Sequence, residues 1–154
     1  MTNLGTLATQ LKRAGDLNGA IDALKKQRGL MSQSFVRITT EAWCRLPLFL
    51  QQAGRYEEAI AEFQSLLDVA ESWIANDFSH LPEFMQRGHS HHVKATIYDK
   101  MRVAAKREKH LEAAERYGKL SGEYFDEHEK FMRVADLYRK REAAKRAAKR
   151  AANN

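Results

Sequence analysis

The chain has 154 residues, 44% of them hydrophobic and 30% charged, which is typical of one globular domain with its own core and excludes a disordered chain. No apolar run reaches the ~18 residues of a membrane-spanning helix, and the N-terminus lacks the charged and apolar blocks of a signal peptide. The formal net charge is +6, and all of this excess lies in residues 139–154. A single cysteine fits a reducing compartment, so we expect a cytoplasmic protein without membrane contact.

The first predicted element is a pair of helices that meet at Gly15. Glycine readily takes the left-handed backbone conformation that ends a helix. A connection this short makes the two helices antiparallel neighbours. Apolar residues recur at helical spacing on both sides of this glycine: Leu4, Leu7, Ala8 and Leu11 before it, and Leu17, Ala20, Ile21 and Leu24 after it.

A second pair of helices is predicted around Gly54, and residues 29–39 link it to the first pair. Pro47 lies inside the first helix of this second pair, where it removes a hydrogen bond and is expected to kink the helix. The link should pack over the junction of the two pairs through its apolar residues, Leu30, Phe35, Val36 and Ile38. Around Gly54, apolar residues occupy the same offsets as around Gly15: Trp43, Leu46 and Leu50 before it, and Tyr56, Ala59 and Phe63 after it.

A longer insertion follows over residues 76–92. Ser79 and Pro82 are expected to open a short helix that Gly88 ends. The histidines of this region are predicted to lie in a polar loop and at a helix start. Their spacing matches no zinc signature, so no metal is expected; they are His80, His89, His91 and His92.

A third, degraded copy of the pattern covers residues 97–117. Here Glu108 takes the glycine position, with Ile97, Met101 and Ala104 before it and Ala113 and Tyr117 after it. Recurrence of one pattern along the chain is an internal repeat. The sequence therefore predicts an all-α array of about three antiparallel helical hairpins.

The last predicted helix is apolar on one side only as far as Tyr138. Phe131, Val134, Ala135 and Tyr138 are spaced to form one face that should dock on the body. Beyond Tyr138 the same face becomes charged. We therefore expect a helical domain over residues 1–138, and a C-terminal helix whose basic end, residues 139–154, overhangs it.

The pattern around Gly54 resembles the tetratricopeptide repeat family, through Trp43, Leu46, Gly54, Tyr56, Ala59 and Phe63. The chain departs from the family pattern at Pro47, where a small residue is usual, and in its glycine spacing of 39 residues instead of about 34. The resemblance implies an array whose concave side is lined by the first helix of each hairpin and holds a peptide. The implied lining is Thr9, Lys12, Cys44, Leu48, Gln51, Tyr98 and Arg102.

Two other arrangements of that groove stay open: the array fills its own groove, or it pairs with another copy of the chain. One subgroup of the family clamps a C-terminal carboxylate with Lys, Asn and Arg at fixed groove positions. Those positions here hold Gly5, Thr9, Arg45, Ala95 and Asp99, which disfavours that mode.

Neither a catalytic site nor a cofactor is expected. Cys44 stands beside Trp43 on a predicted core helix, where a buried inert thiol is expected. The sequence has no phosphate-binding glycine loop, nucleophile elbow or paired-carboxylate motif. The main hypothesis is therefore a non-catalytic adaptor that binds a protein or a peptide.

The basic tail is the basis of an alternative to the adaptor hypothesis. Its last four bases cluster on one half of a helix and could neutralise nucleic-acid phosphates or an acidic partner; they are Lys145, Arg146, Lys149 and Arg150. That reading makes the protein a nucleic-acid-associated regulator. A solubilising end is the plainer reading, and an oligomeric structural component is a third possibility.

Overall fold

The computed structural model describes residues 3–30 and 33–154, and within those ranges it is all-α. This confirms the predicted fold class. The helices are α1 (Leu4–Arg13), α2 (Leu17–Leu30), α3 (Thr40–Trp43), α4 (Arg45–Gln52), α5 (Tyr56–Asp77), α6 (Glu83–Arg107) and α7 (Leu111–Ala152). They form three hairpins, α1–α2, α4–α5 and α6–α7, with α3 as one turn of helix that leads into the second.

The three hairpins turn in the same way. Each first helix is followed by one residue with a positive φ angle, 85° at Gly15, 75° at Gly54 and 62° at Lys109. The N–H of the next residue then donates to the carbonyl five residues back, over 2.9 Å in all three turns. This is the Schellman arrangement, in which the left-handed residue allows the last carbonyls of a helix to be satisfied.

The third turn corrects the predicted register by one residue. Lys109, and not Glu108, occupies the left-handed position. The counterpart of Ala20 and Ala59 is therefore Ala114, which is buried, whereas Ala113 is only half-buried. The cause lies in the turn, because α6 runs one residue further before Lys109 adopts the conformation that glycine takes in the other two.

Two apolar clusters hold the hairpins together. The first joins α1, α2, α4 and the start of α5, through Ala8, Ala20, Ile21, Ala23, Leu24, Leu46, Phe49, Leu50 and Ala59. The second joins the residues before α4 to α5 and α6, with Trp73 contacting Phe35 and Trp43 at ring-centroid distances of 5.1 and 5.4 Å. The two clusters meet on α5, where Ala59 belongs to the first and Phe63 to the second. The second helices α2 and α5 each contact the hairpin that follows as well as their own.

The link between the first two hairpins packs only in part as predicted. Phe35 is buried, and its N–H donates to the Asp77 carboxylate over 2.9 Å. The Trp43 indole N–H donates to the carbonyl of Ser34 over 3.0 Å. Leu30 and Val36, however, are 70% and 60% exposed. The polar anchors Ser34 and Asp77 orient the link so that Phe35 faces inward and its neighbour Val36 faces outward.

Pro47 interrupts the first helix of the second hairpin, as expected. The chain is helical over α3 and again over α4, with the break at Cys44. The pyrrolidine ring sterically opposes a continuous helix at the residues that precede it. Pro47 itself is fully buried in the first turn of α4.

The insertion over residues 76–92 differs from the prediction. Gly88 does not end a short helix; it lies inside α6, which continues unbroken to Arg107. A Cβ atom at Gly88 would overlap the ring of Phe131 on α7. Glycine is present there because two long helices approach closely. His89, His91 and His92 are helical and not in a loop, whereas His80 lies in the turn before α6, as predicted.

The C-terminal helix also differs from the prediction. It is not a separate helix after the third hairpin, because α7 is one helix of 42 residues. A third apolar cluster, Met85, Phe131 and Ala135 with the partly buried Leu81 and Tyr138, docks α7 on the start of α6. Beyond Tyr138 every residue is exposed except the half-buried Glu142.

The third turn predicts an unusual glycine effect. Lys109→Gly should raise the free energy of unfolding by about 1 kcal/mol, because glycine takes a left-handed conformation without the steric cost of a Cβ. Lys106→Gly, three residues earlier and inside α6, should lower it by about 1 kcal/mol. Urea denaturation of the two variants measures both changes. Equal destabilisation by both would contradict the left-handed assignment.

The α6–α7 contact predicts opposite effects for two glycine-to-alanine changes. Gly88→Ala should destabilise by about 1–3 kcal/mol, because overpacking against Phe131 exceeds the gain in helix propensity. Gly122→Ala on α7 meets no neighbouring atom and should stabilise by up to about 1 kcal/mol. Thermal or chemical denaturation gives the signs. A stabilising Gly88→Ala would show that α6 and α7 are further apart at Gly88 than the structure places them.

Candidate functional site

Three of the predicted groove residues belong to the interior. Cys44 is fully buried, and burial raises the pKa of its thiol to about 12, so it is a neutral core side chain. Leu48 packs against the second apolar cluster. Gln51 is 6% exposed and donates from Nε2 to the Glu108 carboxylate over 2.8 Å, which ties the second turn to the third.

Tyr98 faces α7 instead of a groove. Its ring is nearly parallel to that of Tyr124, with centroids 5.7 Å apart, and stacks on Tyr117 at 6.4 Å. Burial and the neighbouring Tyr124 raise the pKa of Tyr98. The one-residue shift at the third turn explains this placement, because Tyr98 is the counterpart of Trp43 and not of Cys44.

Arg102 is also engaged within the third hairpin. Its guanidinium contacts the Asp99 carboxylate at 2.8 Å, one turn earlier on the same helix. Its side-chain stem lies against Gly118 of α7. Of the seven predicted lining residues, Lys12 is exposed, Cys44 and Gln51 are buried, and the other four are half-buried.

Thr9 lines a polar cleft at the N-terminal end of the array. The cleft has a volume of about 500 Å³ and lies between α1, the end of α2 and the start of α4. Its walls are Asn3, Gly5, Thr6, Thr9, Gln10, Arg13, Gln27 and Arg45. Lys12 lies beside it on α1, with its ammonium group 4.4 Å from the centroid of the Phe49 ring.

Arg45 is held in a fixed orientation on one wall of this cleft. Its guanidinium donates to the Gly5 carbonyl over 3.2 Å and to the Thr9 hydroxyl over 2.9 Å. The Thr9 hydroxyl in turn donates to the Gly5 carbonyl over 3.1 Å. The same guanidinium lies 5.5 Å from the Phe49 ring. Because these contacts join α1 to α4, Arg45 both ties two hairpins together and presents positive charge to the cleft.

The cleft is suited to an anionic or amide-rich ligand. Two guanidinium groups and three side-chain amides line it, and no carboxylate is among its walls. Sequence reasoning reached Gly5, Thr9 and Arg45 as family groove positions but missed Arg13 and Gln27. Gln27 belongs to the second helix of its hairpin, so a pattern confined to first helices does not include it.

The histidines form an aromatic seam between α6 and α7. His89 lies flat on Phe78 at 4.2 Å and edge-on to Phe131 at 5.3 Å, while the rings of His92 and His128 are 4.8 Å apart. Burial is the main cause that lowers the pKa of His89 and of His91. No group of three His, Cys, Asp or Glu residues in the described part of the chain could hold a metal ion.

The four tail bases are exposed side chains at the end of α7. Lys145 pairs with Glu142 at 3.2 Å, so one of the four is partly neutralised. Among residues 3–30 and 33–154, no helix combines the length and the apolarity needed to cross a membrane.

Comparisons with known proteins do not assign the chain to a family. A scan against protein-family models finds no match, and searches of curated proteins and of solved structures find none either.

The histidine seam predicts a loss of stability at mildly acidic pH. The pKa values of His89 and His91 in the folded protein lie below the ordinary value of 6.5, so the unfolded chain binds protons first as the pH falls. The free energy of unfolding should therefore decrease between pH 7 and pH 5.5. Carboxyl groups with lowered pKa, such as Glu71, titrate below this window.

Urea denaturation at pH 7 and pH 5.5 measures the change. His89→Phe should reduce the pH dependence, because an apolar ring keeps the packing without binding a proton. His80→Gln, on the exposed loop before α6, is the control and should leave the pH dependence as in the unmodified protein. A stability that is constant or rises toward pH 5.5 would contradict this account.

Proposed function

We propose that this protein is a non-catalytic adaptor of the tetratricopeptide-like type, acting in the cytoplasm. In this proposal the cleft between α1 and α4 takes an acidic segment of a partner protein. The resemblance around Gly54 and the three repeated hairpin turns support the architecture of the proposal. The observation that carries the binding mode is the cleft itself, with Arg45 held in place and no carboxylate on its walls.

The chemistry of the cleft favours a peptide over a compact small molecule. Its walls are mainly polar, and Thr6, Gln10 and Arg13 are all exposed, whereas small-molecule sites are mostly apolar and enclosed. Side-chain amides such as Gln10 and Gln27 can pair with the carbonyl and N–H groups of an extended backbone. Guanidinium groups bind carboxylates through paired hydrogen bonds. A short acidic stretch meets both requirements.

The expected affinity is modest. A hydrogen bond to a charged group contributes about 1.5–3 kcal/mol when it is sheltered, and an exposed ion pair at most about 1 kcal/mol. Arg45 is half-buried and Arg13 is exposed. After the cost of ordering a peptide, a few such contacts correspond to dissociation constants in roughly the micromolar range.

Charge reversal at the cleft tests the proposal. Arg13→Glu should weaken binding of a fluorescein-labelled octaglutamate peptide about tenfold, because it places a carboxylate on a wall that has none. Arg107→Glu is the matched control, since Arg107 occupies the same last position of α6 that Arg13 occupies in α1. Both variants and their parent protein carry Gln at Lys145, Arg146, Lys149 and Arg150, which removes four of the seven bases through which the tail could bind the probe.

Fluorescence polarisation at ~0.15 M salt gives the affinities. The control should bind like the parent protein, and an octalysine peptide should not bind. An equal loss of octaglutamate affinity in both variants would show that net charge alone, and not the cleft, causes the effect. If octaglutamate does not bind at all, the cleft does not take an acidic segment.

A further inference from the structure

The exposed side of α7 carries opposite charges in two separate segments. Residues 123–129 contain four acidic residues and no lysine or arginine, and residues 139–150 contain seven basic residues and one acidic residue. We call these the acidic segment and the basic segment. Both lie on one uninterrupted helix, so their centres are about 28 Å apart at 1.5 Å per residue.

Two large apolar side chains are exposed between these segments. Val134 is 50% exposed and Leu137 is 66% exposed, although their neighbours Phe131 and Ala135 are buried against α6. Leu137 therefore lies on a different side of α7 from the docking face, whereas Val134 lies at the edge of that face, in an open cleft that Phe84 and Gly88 of α6 also line. Exposed residues follow Leu137 at alternating spacings of four and three residues. This is a heptad spacing of the kind that forms a coiled-coil seam, and the residues are Arg141, Ala144, Ala148 and Ala151.

This order of charge is self-complementary under a two-fold rotation. We consider a second α7 that lies antiparallel to the first, with the two-fold axis passing between Ala135 and Asp136. In this arrangement Val134 of one copy contacts Leu137 of the other. The acidic segment of each copy then faces the basic segment of its partner. A two-fold interface of this kind uses the same surface patch on both copies.

The charges also decide the orientation. In a parallel pair the two basic segments lie side by side, about 10 Å apart, within the reach of electrostatic repulsion at physiological salt. In the antiparallel pair the basic segments are about 28 Å from each other, roughly three Debye lengths, and each is adjacent to an acidic segment. In this register Lys130 of one copy faces Arg141 of the other on each side of the central apolar pair. These two bases repel each other, so their stems cover the apolar pair while their charges point apart into water.

We propose that α7 is a homodimerisation surface, on which a second copy of this chain docks as an antiparallel helix. The apolar centre is small, so the dimer depends on its charge pairs and should weaken with salt. This surface lies on the opposite hairpin from the α1–α4 cleft, so the proposal is independent of the function assigned to the cleft.

Sedimentation equilibrium of the full chain at roughly 10–200 μM tests the proposal. We expect a reversible dimer at ~0.05 M salt that dissociates at ~0.5 M salt. Leu137→Glu should raise the dissociation constant at least about tenfold. Met132→Glu is the matched control, because Met132 is 43% exposed on the same helix but lies off the seam, and it should leave the dimer intact. Far-ultraviolet circular dichroism checks that both variants fold.

Cysteine cross-linking fixes the orientation. Glu123→Cys combined with Ala148→Cys should form disulfide-linked dimers on mild oxidation, whereas neither single variant should. The two positions lie about 37 Å apart on one helix, too far for a disulfide within one chain, and the native Cys44 is buried. A chain that is monomeric throughout, cross-linking of either single variant, or equal loss in the Leu137→Glu and Met132→Glu variants would overturn the proposal. So would a monomer whose basic segment instead binds duplex DNA at ~0.15 M salt.

Discussion

The array depends on a tight chain reversal that requires one left-handed residue. At Gly15, Gly54 and Lys109 this residue lets two N–H groups reach back to carbonyls that the end of a helix would otherwise leave without partners. The reversal also sets where the second helix begins, and therefore which of its side chains face the first. A lysine in this conformation carries a steric cost of about 1–2 kcal/mol. Packing of α6 against α7, the two longest helices in the described part of the chain, offsets that cost in the third hairpin.

Close approach of the helices is the second requirement, and it is met by the smallest side chains. Ala20 and Ala59 are completely buried one turn after their reversals, and Ala114 is nearly so. Gly88 serves the same purpose far from any turn, because it leaves room for the Phe131 ring. The consequence is that small residues here mark contacts between helices. Glycine therefore has two unrelated roles in this chain, one set by backbone conformation at Gly54 and one set by side-chain volume at Gly88.

The sequence alone was sufficient for features that depend on local pattern. The all-α class and the turns at Gly15 and Gly54 follow from helical spacing and from the conformational freedom of glycine. Features that depend on distant contacts were not accessible. Nothing near Gly88 shows that Phe131, 43 residues later, occupies the space of its missing side chain. Likewise, no residue near Lys109 marks it as left-handed. The resulting one-residue difference in register is the reason that Tyr98 stacks on Tyr124, although the sequence predicted it to line an open groove. The cleft was found only in part, because Gln27 reaches it from a second helix.

The length of α7 gives the third hairpin a mechanical property. Because its backbone is helical from Leu111 to Ala152, the part beyond Tyr138 moves with the docked part as one rod. That overhang of 14 residues is about 21 Å long, so a tilt of about 10° at Tyr138 displaces its tip by about 4 Å. The aromatic and histidine contacts around Phe131 lie about 10 Å from that pivot, on the docked side. A displacement of α7 in that packing is therefore about doubled at the positively charged tip, because the overhang is about twice as long as the stretch from Phe131 to Tyr138.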